Sequence, residues 1–291
     1  MKILILGVSG MLGNAVFRSF LEDADYDVWG TVRSPHWLAH FSATSQSKLI
    51  TGVDIFNQDL LLNVLESTRP DLVINLIGVT KQQPGGNDPS IVIPINALFP
   101  HRLAKLCKLI ECRLIQKSTD CVFSGKKGLY TELDETDATD LYGRSKFMGE
   151  ILDYPNVVTI RTSAIGHELN SNYGLVDWFL SQDKSTNGYV NAIFSGLPAF
   201  ELGRVIRDYI APNKDLKGLY HVSSTPINKY ELLMKIADVY KKKIIINPDK
   251  ELVIDRSLDS SKFLHATGYI PPNWDDLLAM MYKSSKFSGA H

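Results

Sequence analysis

Three glycines spaced Gly7, Gly10 and Gly13 restrict the fold of this chain more than any other feature of it. The four apolar residues before them, Ile3 to Leu6, read as a strand buried on both faces, as in a parallel sheet. The apolar, turn-free segment from Asn14 to Leu21 reads as the helix that follows. Strand, glycine turn and helix form a phosphate cradle, because a helix N-terminus offers bare N–H groups and the positive end of its dipole. Gly7 permits the tight turn, Gly10 lets backbone approach a ligand, and Gly13 lets helix and strand pack closely. Ser9, Met11 and Leu12 complete the loop. The first gap is one residue longer than in the standard dinucleotide fingerprint. A dinucleotide site is the expectation.

The rest of the chain suits one large α/β unit. Its 291 residues, 44% hydrophobic, are enough for a sizeable core. A net charge of −1 gives no reason to expect nucleic acid or an acidic membrane surface as partner. No stretch is long and apolar enough to span a bilayer, and the chain enters a strand at once, without a signal peptide. Cys107, Cys112 and Cys121 lack metal-ligand spacing and cannot all pair, so no metal is expected and a reducing cytoplasm fits.

Strand and helix signals then alternate. Tyr26 to Arg33 reads as a second strand, whose end faces the adenosine ribose in folds of this type. Arg33 there would pair with a 2′-phosphate and favours NADP over NAD, which remains the alternative. Leu49 to Asp54 reads as a third strand, with Asp54 and then Ile55 near the adenine. A helix from Asp59 to Ser67 stops at Arg69–Pro70. Asp71 to Gly78 reads as a strand whose end, Leu76–Ile77–Gly78, would lie against the cofactor ribose. A Pro/Gly-rich loop from Gln82 suits a substrate rim, and Asn96 sits in a helix reaching about Glu111.

Leu114 to Phe123 is the next strand, with Ser118 and Thr119 toward its carboxyl end, where open α/β sheets bind ligands. Tyr142 and Lys146 follow, four apart and so on one helical face. An ammonium beside a phenol stabilises the phenolate and draws its pKa toward the working range for proton transfer. Val157 to Gly166 is a further strand, in which Arg161 needs an anion or several carbonyls as partners. Beyond it the alternation loosens. Residues 1–165 read as a dinucleotide-binding domain with later strands returning to it, and 166–291 mainly as a substrate-binding lobe. His167, His221 and His265 are scattered.

The glycine turn, Ser118–Thr119–Asp120–Cys121–Val122–Phe123–Ser124–Gly125, and the Tyr142–Glu150 segment together resemble the extended short-chain dehydrogenase/reductases acting on nucleotide sugars. Arg161–Thr162–Ser163 and Arg256–Ser257–Leu258–Asp259 extend the similarity to nearly the whole chain, closest to the dTDP-4-dehydrorhamnose reductase branch. This resemblance implies a doubly wound parallel sheet with a smaller C-terminal lobe. It also implies a catalytic set of Thr119, Tyr142 and Lys146. Tyr142 would protonate the sugar C4 carbonyl oxygen, Lys146 would tune that phenol and hold the nicotinamide ribose, and Thr119 would orient the carbonyl. Asn96 matches an Asn that supports the cofactor site. Lys81, Asp120, Cys121 and Ala164 would line the sugar.

Three departures from that pattern narrow the reading. Cys121 stands where related 4,6-dehydratases have the Glu of an Asp–Glu pair, which argues against dehydration. A Cys occupies the same place in an epimerase–reductase, where a thiol can act as base, with His167 as a conceivable partner acid. Ala164 replaces an aromatic residue of rhamnose-forming enzymes and leaves more room at the sugar. The expected activity is NADP-dependent reduction of a UDP- or dTDP-linked 4-keto-6-deoxy sugar for surface-polysaccharide synthesis. The alternatives are an epimerase–reductase and a non-catalytic dinucleotide-binding regulatory subunit. Relatives usually form homodimers.

Overall fold

The structure is a computed structural model and describes residues 1–287. Seven parallel strands make the central sheet: β1 (Lys2–Leu6), β2 (Asp27–Val32), β3 (Leu49–Thr51), β4 (Leu72–Asn75), β5 (Arg113–Ser118), β6 (Val157–Arg161) and β7 (Gly218–His221). Their order across the sheet is β7-β6-β5-β4-β1-β2-β3. The expected doubly wound α/β architecture is therefore present. The chain winds one way from β1 to β3 and the other way from β4 onward, so a crevice opens between β1 and β4 at their carboxyl ends. Strands β4 and β6 are buried along their whole length, which is why they read as continuous apolar runs.

Helices cover both faces. On one lies α1 (Met11–Leu21), with α5 (Ala199–Val205), α6 (Lys229–Tyr240) and α7 (Trp274–Phe287). Val16, Phe17, Leu202, Val205 and Leu277 join Ile3 and Ile5 in a single apolar core there. Residues from both ends of the chain thus share one core. The opposite face packs α2 (Gln58–Thr68) and α3 (Phe99–Leu109) on Leu4, Leu6, Val73 and Leu114. Tyr142 and Lys146 ride on α4 (Leu141–Met148), started by Asp140, whose carboxylate accepts from the Gly143 N–H at 2.8 Å.

Several elements are shorter than their apolar runs, each for a local reason. β3 stops at Thr51 because Gly52 turns into the left-handed region at φ 76°. β5 ends at Ser118, and a tight helical turn, Asp120–Val122, follows where Thr119 accepts from the Cys121 N–H. β6 ends at Arg161, and Ala164–Ile165 pairs separately with Leu197–Pro198. The helix around Asn96 widens to a π-helical stretch at Pro94–Leu98, since Pro94 has no N–H to continue the α ladder. A small three-stranded sheet, Ile227–Asn228, Ala192–Phe194 and Ile254–Asp255, lies outside the main sheet. Cys107 and Cys112 are buried and Cys121 partly so, all three as free thiols.

Candidate active site

The glycine turn closes the crevice between β1 and β4. Gly7 has φ 89°, and a Cβ on it would come within 2.9 Å of Ile77 Cγ1. A Cβ on Gly13 would stand 2.0 Å from the Gly7 carbonyl oxygen, so only glycine lets α1 begin this close to β1. Gly10 caps α1 without a side chain, and Met11 to Gly13 form the first helical turn with no acidic residue there. The cradle is bare backbone at a helix N-terminus. It suits a pyrophosphate.

Flanking segments bring in the other candidate cofactor residues. Arg33 is exposed at the end of β2, with no hydrogen bond or ion pair among the described residues, so its guanidinium is available to an anion. Asp54 accepts from the Phe56 N–H at 2.9 Å, and Ile55 rests against the Leu4 side of the core. Leu76 donates its N–H to the Leu6 carbonyl at 3.2 Å, the last rung between β4 and β1, and Ile77 beyond it lies against Gly7. Gly78 opens toward two further groups: a Cβ there would be 3.4 Å from Asn96 Oδ1 and 3.8 Å from Lys146 Nζ.

Asn96 is wholly buried, and its amide is engaged by protein. Its Oδ1 accepts from the Val79 N–H at 2.9 Å, while Nδ2 donates to the Val79 carbonyl at 2.8 Å and to Ser145 Oγ at 3.2 Å. Asn96 thereby ties the loop after β4 to α4. The Ser118 hydroxyl donates to Glu150 Oε1 at 2.6 Å.

Thr119, Tyr142 and Lys146 are 3%, 8% and 3% exposed; Thr119 hydrogen-bonds with the Tyr142 phenol, and Lys146 lies one helical turn on from Tyr142. Burial lifts the Tyr142 phenol above its ordinary range, the neighbouring Cys121 adds to this, and a hydrogen bond with Thr119 opposes it. Burial and the nearby Lys117 bring the Lys146 ammonium down to about 7, against the pull of Glu150. Lys146 Nζ donates to the Lys117 carbonyl at 2.8 Å and makes no hydrogen bond to the phenol. The expected lowering of the phenol by its lysine is not seen: desolvation dominates, and the neighbouring acidic groups raise it further. A raised phenol stays protonated through the neutral range, as a proton donor must.

Behind the catalytic set sits an ion pair that the sequence only half disclosed. Arg161 Nε and Nη2 each donate to Glu150 at 2.8 Å, with both side chains no more than 3% exposed. Arg161 also stacks over the Phe123 ring and meets His221 Nε2 at 3.3 Å. An arginine in a buried strand signalled a missing anion; only the fold brings Glu150 to it. Burial and Arg161 hold His221 down at about 4, so it is neutral.

The sugar-side candidates cluster around Cys121. Asp120 is 7% exposed and accepts from the Thr119 hydroxyl at 3.1 Å. Cys121 Sγ accepts from Arg256 Nη1 at 3.6 Å, and burial pushes its thiol up to about 11. The thiol is therefore protonated at neutral pH, with little thiolate present to act as a base. His167, its conceivable acid partner, is held elsewhere, with Nδ1 2.6 Å from Asp177 and Nε2 2.7 Å from the Tyr240 hydroxyl. Lys81 is exposed on the loop after β4, and Ala164 is half-buried on its short strand.

With this geometry in view, comparison with known proteins is specific. The family model described as "RmlD substrate binding domain" matches residues 1–286. The dTDP-4-dehydrorhamnose reductase of Aggregatibacter actinomycetemcomitans is 25% identical over 301 residues, covering 95% of this chain and 97% of that protein. Methionine adenosyltransferase 2 subunit beta of Danio rerio is 23% identical, covering 82% of this chain and 74% of that one. Among solved structures, dTDP-4-dehydrorhamnose reductase from Bacillus anthracis in complex with NADP superposes with a TM-score of 0.77 at 20% identity. It covers 98% of this chain and 99% of the other.

Proposed function

This chain belongs to the RmlD substrate binding domain family, and from that premise we propose that it reduces the 4-keto group of a nucleotide-linked 4-keto-6-deoxy sugar. The observation that carries the reading is that the buried Tyr142 phenol hydrogen-bonds with Thr119, while Lys146, one helical turn on, stands 3.8 Å from where a Cβ on Gly78 would lie. When bound, a reduced nicotinamide supplies the hydride. The chain supplies the rest. Tyr142, protonated through the neutral range, delivers its phenolic proton to the carbonyl oxygen as charge develops there. Thr119 holds the same oxygen, and Lys146 binds the ribose beside Gly78. Burial of all three strengthens these contacts by excluding water. Of the residues after 166, those outside β7 and the helices packed with α1 would supply the substrate lobe. The small Ala164 leaves room for a substituent on the sugar.

Assay of the purified chain with NADPH and a panel of dTDP- and UDP-linked 4-keto-6-deoxy sugars tests the proposal. Oxidation of NADPH with at least one of them is expected, with no solvent deuterium at the carbons flanking C4, since Cys121 is not a base. Tight NADPH binding without turnover on any of them would return the chain to a regulatory role.

Arg33 makes NADPH the expected cofactor. Its guanidinium, free at the end of β2, would pair with the 2′-phosphate. Arg33→Ser is expected to raise the KM for NADPH about tenfold and leave that for NADH unchanged, read by steady-state kinetics with each cofactor. Equal effects on both would remove Arg33 from cofactor selection.

A further inference from the structure

On the face of the sheet covered by α1, the helices leave a cavity of about 370 Å³. It lies between α1, α5 and α7 and follows α1 from Met11 to Glu22, roughly 16 Å of helix. None of Gly7, Gly10, Gly13, Thr119, Tyr142 or Lys146 borders it. Small residues make the space. Gly203 brings α5 close to α1, where a Cβ on it would stand 3.1 Å from the Ala15 carbonyl oxygen and from Ser19 Oγ. Ala15, Ser19 and Ala199 then fill little of the gap between α1, α5 and α7.

The walls are apolar with one polar stripe. Met11, Ala15, Ala199, Phe200, Met280 and Met281 supply the apolar surface. Asn14 and Arg18, four apart, share one face of α1. Asn14 is 8% exposed, and its Nδ2 is buried without a hydrogen-bond partner. An unpaired amide donor in the interior is costly, so it implies an acceptor that arrives. Arg18 is half-buried and forms no hydrogen bond or ion pair among the described residues. Burial pushes its guanidinium down, and Glu22 opposes this. Helical side chains lean toward the N-terminus, which directs the Arg18 head over the turn bearing Asn14. Lys283 adds a second positive charge from α7. Glu22, the one carboxylate on the lining among the described residues, is 67% exposed and lies 3.9 Å from Arg207. Arg18 and Lys283 against Glu22 leave one positive charge in excess.

We propose that this cavity is a second ligand site, which takes a medium-chain aliphatic monocarboxylate. The Arg18 fork and the Asn14 amide hold the carboxylate, and the methionines and Phe200 cover the chain. A cavity of this volume encloses a small molecule, and methionine adapts to a flexible apolar one. A single carboxylate matches the single charge in excess, and its two oxygens suit the planar fork of an arginine. Neither Asn14 nor Arg18 takes part in reduction, so the site and the reductase can fail separately.

The test is calorimetric titration of the full chain, loaded with NADPH so that the cofactor site is filled, with decanoate below its micelle concentration. One decanoate per chain is expected. Octanoate should bind about 15-fold more weakly, because two fewer methylenes are buried. Decanol should bind about tenfold more weakly, having no charge for Arg18. Arg18→Met is expected to weaken decanoate about tenfold and leave decanol and NADPH binding unaffected, with Arg18→Lys recovering part of the loss. Asn14→Leu is expected to weaken decanoate and, by removing the unpaired donor, to raise Tm. No binding, more than one decanoate per chain, equal affinity for decanol, or release of NADPH on titration would each overturn the proposal. So would unchanged decanoate affinity in Arg18→Met. A higher Tm for Asn14→Leu with decanoate affinity unchanged would leave only water in the cavity, and that also overturns it.

Discussion

Tyr142→Phe is expected to abolish reduction while leaving the protein folded and NADPH bound. The substitution removes one oxygen from a side chain that is 8% exposed and lies in a site held by backbone packing. Gly143 abuts the Cys121 carbonyl, where a Cβ would come to 2.2 Å, and Asp140 caps the helix. Neither contact involves the phenol. A positioned general acid contributes roughly 10²–10⁴-fold, so kcat should fall by about that factor. The measurement is NADPH oxidation under single-turnover conditions, with fluorescence titration of NADPH as the control. A variant that keeps more than about a tenth of wild-type kcat would show that the proton comes from elsewhere. Because burial raises the phenol, wild-type reduction should stay flat across the neutral range on account of Tyr142. A rate falling there with the titration of this phenol would contradict the geometry.

Lys146→Met is expected to stabilise the protein while destroying its activity. The ammonium is 3% exposed and held at about 7, against an ordinary lysine near 10.5. The unfolded chain therefore binds one more proton than the folded one between about pH 7 and pH 10.5. Stability of the wild type rises with pH through that window, and at or below pH 7 the whole cost of burying the charge is present. Removing the amine relieves that cost. The lost hydrogen bond to the Lys117 carbonyl returns about 1 kcal/mol of it, softened because Gln116 Nε2 also donates to that oxygen, at 3.2 Å. A net gain on the order of 1–3 kcal/mol at pH 7 follows, shrinking toward pH 10.5. Thermal unfolding of both proteins from pH 6.5 to 10 reads it directly. A variant less stable than wild type at pH 7, or a difference independent of pH, would mean the amine is not penalised in the fold. Function set against stability is what a buried catalytic charge implies.

Much of this architecture follows from local rules. Ile3–Leu6 followed by glycines at 7, 10 and 13 determines a buried strand, a tight turn and a helix start, because no other residue type tolerates φ 89° at Gly7 or the 2.0 Å approach at Gly13. The helix read at Asp59–Ser67 is found at Gln58–Thr68 and ends at Arg69, just before Pro70. Tyr142 and Lys146 share a helix face by arithmetic alone. The resemblance supplied their roles.

What sequence left open concerns partners and environments. Arg161 announced a need for an anion, but eleven residues separate it from Glu150, and only the packing of β6 behind α4 joins them. The phenol was expected to be lowered and is raised, because charge neighbours can be guessed from spacing whereas desolvation depends on how many elements close over a group. The protein partners of Asn96 and Ser118, the Val79 carbonyl and Glu150, could not be read from spacing, since a hydroxyl or amide donates to whichever acceptor the fold brings nearest. Arg256 carries no local signal for Cys121, more than a hundred residues away, whose Sγ it reaches at 3.6 Å only through the tertiary fold. Sequence by itself determined the strand, turn and helix units and the residue types of the site, since those obey short-range steric rules. The tertiary structure decided which charges meet and how dry they are, since both depend on contacts between distant segments.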